Sequence, residues 1–396
     1  MNNAKSDHAS SQQRAVVVMF DGLGLDYYSQ SPLPTLKSWA KTGLFAEVQA
    51  VLPTVTNANN ASICCGAWPS VHGVIGNSYL DERTGEEEYL EESALLCAPT
   101  LFDRAAREGV RSALLTSKKK TTSLLGQGAE ILLAAEAPNG DWEKILGPAP
   151  QIYSREINYW LLRAAIHILR TRPDIGCLYV HTTDYAMHEW APDEPESQEH
   201  VATLDGLLRE AAETAPDAAF LVSADHGLNY KTRCWDLEKA CASRGLPIRI
   251  AISAERDKYL RHHRGFGGMA WVYTLKSEDM AAVKSLLLSL DGVESVLTRA
   301  EASEKFHLMP ERIGELVVVG DRDTVFGHLE TDMENLPSRY RSHGSRHELG
   351  VPLILHNAKD APGHAYFRNN LDLARWLYPL ADSGVGKVKI HDEVPV

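Results

Sequence analysis

Aspartates and histidines recur in short motifs along the chain, and their types and spacing are those of a metal site. Asp184 and His188 stand four residues apart in TTDYAMH; on a helix those positions share one face, so both side chains can reach one ion. Asp225 and His226 are adjacent in ADHG, where a loop lets neighbours approach one metal and Gly227 allows a tight turn. Asp21 in MFDG adds a third carboxylate, and His343 in RSHG another imidazole. Each piece alone has an ordinary use: Asp and His on a solvated helix face, DHG as a turn, Asp after a strand as a helix cap. Together they form a mixed carboxylate and imidazole set that suits zinc, or manganese or iron, better than magnesium or calcium. Six such groups exceed the needs of one tetrahedral ion. The expected cofactor is therefore two divalent metal ions, Zn2+ first, with Mn2+ or Fe2+ as alternatives. Paired ions of this kind sit roughly 3.5–4 Å apart and stabilise both entering and departing oxygens.

A second motif brings a hydroxyl. In LPTVTNANNAS, Thr56 starts a polar segment that runs into Ile63, Cys64 and Cys65. A threonine at a helix N-terminus is commonly just the cap. The chemical alternative makes Thr56 a nucleophile at the positive end of a helix, where a phosphoryl oxyanion is favoured.

These groups need a frame. Ala15–Phe20 is a short, continuous apolar run ending at Asp21-Gly22, the signature of a strand buried on both faces. Ser112–Thr116, Cys177–Val180, Ala218–Ser223 and Leu353–Leu355 repeat the pattern, and Ile157–Arg170 carries apolar residues at helical spacing. Strands alternating with helices predict an α/β fold with a mostly parallel sheet, whose ligands collect beyond the carboxyl ends of the strands. Two of these strands end in Asp and a third leads to Asp184. Residues 235–336 read differently. Strand-like Pro247–Ile252, Met269–Tyr273, Val293–Leu297 and Glu315–Val319, with a helical Ala281–Leu290, predict an inserted α+β cap. The core then comprises 14–234 and 337–381, with loose termini at 1–13 and 382–396.

Composition bounds the function. The 396 residues are 44% hydrophobic and 23% charged, as in an ordinary globular protein. A length of that order favours two lobes or a core with a large insertion. Forty Lys+Arg against 53 Asp+Glu give a net charge of −13, a field that disfavours nucleic acid and anionic membranes. No apolar stretch approaches the ~20 residues of a membrane span, and the run behind the polar N-terminus is too short for a secretory segment. The expectation is a cytoplasmic protein whose six scattered cysteines are reduced.

The motifs MFDG, PTVTNANNAS, SVHGVIGN, TTDYAMH, ADHG and RSHG occur in the order seen in the alkaline phosphatase superfamily, over roughly residues 14 to 360. Within it the chain most resembles the phosphonoacetate hydrolases, relatives of the nucleotide pyrophosphatase/phosphodiesterases. The resemblance implies an alkaline-phosphatase-like sheet with a cap, and makes Thr56 the nucleophile. Asp21, Thr56, Asp225 and His226 would bind one metal, and Asp184, His188 and His343 the other. Asn77 matches an amide that holds a phosphoryl oxygen, and Lys118 and Lys120 match lysines that receive a substrate carboxylate. His72 matches a histidine taken as structural, and His347 a neighbour of the site. The segment carrying His262, His263 and Arg264 resembles the family's cap, where their positive potential is available, and no role is assigned to them. The implied partner is a small anionic phosphonate, the implied assembly a homodimer, and the implied reaction carbon–phosphorus cleavage through a phosphothreonine. Phosphodiester or phosphomonoester hydrolysis by the same metals is the alternative, and non-catalytic metal or phosphonate binding a third. Cys64-Cys65 and Thr121-Thr122 depart from the family pattern.

Overall fold

The computed structural model describes residues 13–259 and 263–379. The predicted loose termini fall outside these residues except for Gln13, 380 and 381 being omitted as well, and so does His262. Gln13 itself is held, its side-chain amide donating to the Asp217 and Asn357 carbonyls.

In chain order the framework consists of β1 (Ala15–Phe20), β2 (Leu44–Gln49), β3 (Arg111–Thr116), β4 (Ile131–Ala134), β5 (Ile175–His181) and β6 (Ala219–Ala224). Then come β7 (Ile248–Ser253), β8 (Met269–Thr274), β9 (Val293–Thr298), β10 (Leu316–Gly320) and β11 (Gly350–His356). The helices that matter for the site are α1 (Thr56–Cys65), α2 (Lys119–Leu125), α3 (Glu156–Thr171), α4 (Tyr185–Glu189) and α5 (Pro195–Thr214).

Seven strands form one sheet in the order β2-β11-β6-β1-β5-β3-β4. The five contiguous strands β6, β1, β5, β3 and β4 are parallel; β11 runs antiparallel to both β6 and β2. The mostly parallel α/β sheet is thus present, with one reversed strand that the short Leu353–Leu355 run did not reveal. Every residue of β1 is buried, which explains the unbroken apolar run: helices cover both faces, so alternation is lost.

A second sheet, β7-β8-β10-β9, is antiparallel throughout. Its two faces divide as strand alternation requires. Met269, Trp271, Tyr273, Val317 and Val319 join the core of the large sheet, whereas Ala270, Val272, Leu316 and Val318 join a separate cluster with Leu287 and Leu237. Register shifts beside Ile248 and Val293 let those residues face the separate cluster. Between β9 and β10 lies a helix, Arg299–Phe306, with a Thr298/Glu301 capping box that the low apolar content of RAEASEKF concealed.

No helix among the described residues is long and apolar enough to cross a membrane. Cys64, Cys65, Cys177, Cys234 and Cys241 are free and buried, and Cys97 is free and exposed.

Candidate metal centre

The strand ends deliver the carboxylates. Asp21 follows β1 directly, and the chain turns at Gly22, whose φ is 77°. A Cβ there would lie 2.8 Å from Leu228 Cδ1 and 2.9 Å from Met187 Cγ, so only glycine lets the loops close over the site. Gly22 N donates to Asp225 Oδ1 at 2.9 Å, joining the ends of β1 and β6. Gly227, read from the sequence as the turn glycine, does not adopt a positive φ. Asp184 is the N-cap residue of α4 and His188 lies within it. Their side chains meet at 2.9 Å, the i, i+4 geometry that the motif predicted.

The histidines are oriented alike. Nδ1 of His188 faces the Arg341 carbonyl at 2.8 Å, Nδ1 of His226 the Gly227 carbonyl at 3.1 Å, and Nδ1 of His343 the Thr54 carbonyl at 2.7 Å. A carbonyl only accepts, so each Nδ1 carries the proton and donates, leaving the Nε2 lone pair for another partner. Those Nε2 atoms converge on carboxylates: His188 on Asp184 Oδ2 at 2.9 Å, His226 on Asp225 Oδ2 at 3.2 Å, and His343 on Asp184 Oδ2 at 3.6 Å. Lone pairs facing lone pairs at these distances need a cation or an extra proton between them.

Electrostatics agrees. Burial, then the charges of Asp184 and Asp225, hold the Asp21 carboxyl well above its usual range, and burial lifts Asp225 to about 6. Burial pushes His226 well below its ordinary value. For His343 burial acts downward, but Glu255 and Asp184 outweigh it and raise the ring to about 9. Asp21 Oδ2, Asp225 Oδ2 and His343 Nε2 are buried without a hydrogen bond, which a folded protein rarely tolerates. Asp21, Asp225 and His226 form one group able to hold a metal ion, Asp184, His226 and His343 a second, and His188, His263 and His343 a third. The donor set fits divalent cations.

Thr56 lies at this centre. Its Oγ1 donates to Asp21 Oδ1 at 3.2 Å and sits 3.3 Å from His226 Nε2. The helix cap is Val55, and Thr56 is the first helical residue, so its hydroxyl is not used for capping. Asn59 holds the preceding loop by donating to the Val51, Pro53 and Val55 carbonyls while accepting from Val51 N. Asn370 bridges Asn59 Oδ1 to the Asp225 carbonyl, fixing the hydroxyl's loop to the metal loop.

Lys118 is the N-cap of α2, just past the end of β3, and Lys120 lies in the first turn of that helix. Desolvation lowers Lys118, but Asp184, Asp21, Glu255 and Asp257 outweigh it and hold the ammonium well above its ordinary value. Lys120 Nζ donates to Asn77 Oδ1 at 3.1 Å and pairs with Asp257. Asn77 is buried, and its loop is tied to α1 through Asn57, which donates to the Gly76 carbonyl at 2.9 Å. Both lysines and Asp257 line a cleft of about 680 Å³ together with Glu91, Tyr153 and Tyr259.

The remaining candidates sort by position. His72 is buried between Ser62 and Val74 N, and His347 pairs with Glu294. Arg264 is exposed against Glu334. His263, given no role from sequence, stacks on His188 with ring centroids 4.1 Å apart and lies 3.8 Å from Glu255. Sequence reasoning also missed Glu255, Asp257 and His181, whose Nε2 is 3.5 Å from Asp21 Oδ2. The signal was available: Glu255 and Asp257 lie within four residues of the end of β7, and His181 ends β5.

The model of the type I phosphodiesterase / nucleotide pyrophosphatase family matches residues 15–347. The chain belongs to that family. Among solved structures of the alkaline phosphatase superfamily, it is similar to phosphonoacetate hydrolase from Sinorhizobium meliloti 1021 in complex with phosphonoformate. Identity is 30%, the TM-score 0.82, and coverage 91% of this chain and 94% of that one. The same hydrolase has been solved with phosphonoacetate. Among curated proteins, bis(5'-adenosyl)-triphosphatase enpp4 of Xenopus laevis is 31% identical over 85 residues, 21% of this chain and 19% of its own. The Bos taurus protein is 22% identical over 239 residues, 57% of this chain and 49% of its own. The chain thus spans at most about half the length of these two curated family members.

Proposed function

We propose that the chain is a metal-dependent hydrolase that cleaves the carbon–phosphorus bond of phosphonoacetate, or of a close carboxylated phosphonate, to phosphate and acetate. The observation that carries this reading is the placement of the Thr56 hydroxyl among Asp21 and His226, with the Lys118 ammonium under the influence of the same carboxylates. Asp21, Thr56, Asp225 and His226 would hold one divalent ion, and Asp184, His188 and His343 the other. When bound, such ions neutralise charge on phosphoryl oxygens and lower the pKa of the hydroxyl or water they contact.

The residues of the chain do the rest. Thr56 Oγ1 gives its proton to Asp21 Oδ1, from which it passes to solvent, and attacks phosphorus as the phosphorus–carbon bond breaks. The electron pair passes to the methylene carbon and is delocalised onto the substrate carboxylate. Lys118 stabilises that developing charge, Asn77 holds a phosphoryl oxygen, and a proton from solvent completes acetate. Water then cleaves the phosphothreonine, which releases phosphate and restores the hydroxyl.

Ester hydrolysis at the same centre is the second reading, favoured by the family match and by bis(5'-adenosyl)-triphosphatase relatives. Metal analysis coupled to phosphate release from phosphonoacetate and from p-nitrophenyl phosphate esters separates the two. The proposal expects phosphonoacetate to be the better substrate and Thr56→Ala to abolish turnover. A Thr56→Ala protein that keeps most of its rate would overturn it.

A further inference from the structure

Lys120 is already occupied by a carboxylate of the protein itself. Its Nζ pairs with Asp257 Oδ2 and donates to Asn77 Oδ1, which uses two of its three donors. The Asp257 side chain is 6% exposed and that of Lys120 16%, so the pair is largely shielded from solvent and screened weakly.

The loop that carries Asp257 is built to aim it there. Arg256 pairs outward with Glu87 at 2.9 Å and Lys258 outward with Glu91 at 3.0 Å, fastening both neighbours to the segment 87–91. Asp257 Oδ1 accepts from Tyr259 N at 2.8 Å, so the carboxylate is anchored on its own turn with Oδ2 left for Lys120. Burial acts to raise the Asp257 carboxyl, but Lys120, the Tyr259 N–H and Lys118 together outweigh it and keep the group below the usual carboxylate range, hence ionised.

We infer that Asp257 is a specificity-determining residue: it holds Lys120 as an internal stand-in for a substrate carboxylate, and an anionic substrate must either displace it or bind beside its charge. This rests on the reading of the lysine pair as a carboxylate receptor. Either arrangement weakens binding of a carboxylated ligand and leaves a ligand without that group unaffected. Asp257 therefore sets discrimination between carboxylated phosphonates and simple phosphate esters, through KM and not through the bond-breaking step.

The test compares metal-loaded wild type with Asp257→Asn and Asp257→Ala, both of which remove the charge. The expected result is a KM for phosphonoacetate at least about fivefold lower in both variants, with KM for p-nitrophenyl phosphate changed less than about twofold. An unchanged or raised KM for phosphonoacetate, or an equal change for both substrates, overturns the inference and makes Asp257 a residue that merely positions Lys120. If wild type releases no phosphate from phosphonoacetate, the proposed reaction fails separately. Calorimetric titration of phosphonoacetate into the same proteins then decides: tighter binding by Asp257→Asn upholds the role of Asp257, and equal, weaker or absent binding ends it.

Discussion

The Thr54 carbonyl accepts from His343 Nδ1 at 2.7 Å across 289 positions of chain. The residue two before Thr56 therefore sets the tautomer of a distant imidazole. Thr54 Oγ1 strengthens the tie, accepting from Gly344 N at 3.0 Å and donating to the Ser345 carbonyl at 2.7 Å. Thr54→Val keeps the carbonyl but leaves the buried Gly344 N–H unpaired. Groups that orient metal-ligating histidines are typically worth about 10- to 100-fold in affinity or activity. The variant should lose metal to a competing chelator at least about tenfold more readily and fall in kcat. Unaltered retention would show that the hydroxyl does not orient His343.

Removing metal should cost stability as well as activity. Asp21 and Asp225 are each pushed up by the charge of Asp184 as well as by burial, so a cation at the centre relieves repulsion present only in the folded state. Chelation is expected to abolish turnover and lower the melting temperature by several degrees, both restored by a divalent ion. An identical melting temperature with and without chelator would contradict this.

The two lysines should fail differently. Lys118 feels the metal-site carboxylates, so Lys118→Ala is expected to reduce kcat/KM for phosphonoacetate by about 10²–10³ while ester hydrolysis stays within severalfold. Lys120 also orients Asn77, so Lys120→Ala should impair both substrates. Steady-state kinetics on phosphonoacetate and p-nitrophenyl phosphate check both; equal profiles for the two variants would refute the division.

The pieces readable from sequence were those whose chemistry is local. A strand buried on both faces announces itself by an unbroken apolar run, and Ala15–Phe20 was legible to the residue. Asp184 and His188 were legible because a helical period fixes their relation. α1 was harder, since NANNAS reads as a solvated segment, yet Asn57 to Cys65 are all buried. Those asparagines replace water by satisfying backbone groups, Asn59 for the Val51–Val55 loop and Asn57 for Gly76. Such partners lie on other segments and leave no periodic trace. The reversed direction of β11 was hidden likewise, because an apolar triplet looks the same in either orientation. Glu255 and Asp257 were missed because their neighbours Arg256 and Lys258 make ERDK look like surface charge.

His72 offers a test of burial that is independent of metal. Its Nδ1 accepts from Val74 N at 3.1 Å, so Nε2 carries the proton and donates to Ser62 Oγ at 2.8 Å. A second proton would break the Val74 bond, and burial, with a smaller contribution from Arg312, lowers the ring to about 3. An unfolded histidine takes up its proton near 6.5. Between those values the unfolded chain holds one proton more than the folded chain, so stability falls as pH is lowered through that window. The expected loss from this one group is about 1.4 kcal/mol per pH unit. Above 6.5 neither state is protonated and the contribution is constant. His72→Gln should be less stable at neutral pH, because its packing and one hydrogen bond are disturbed, but should lose stability on acidification with a slope shallower by about one proton. Urea denaturation of both proteins between pH 4 and 7 measures the slopes; parallel lines would mean that His72 titrates normally and is not held neutral by the fold.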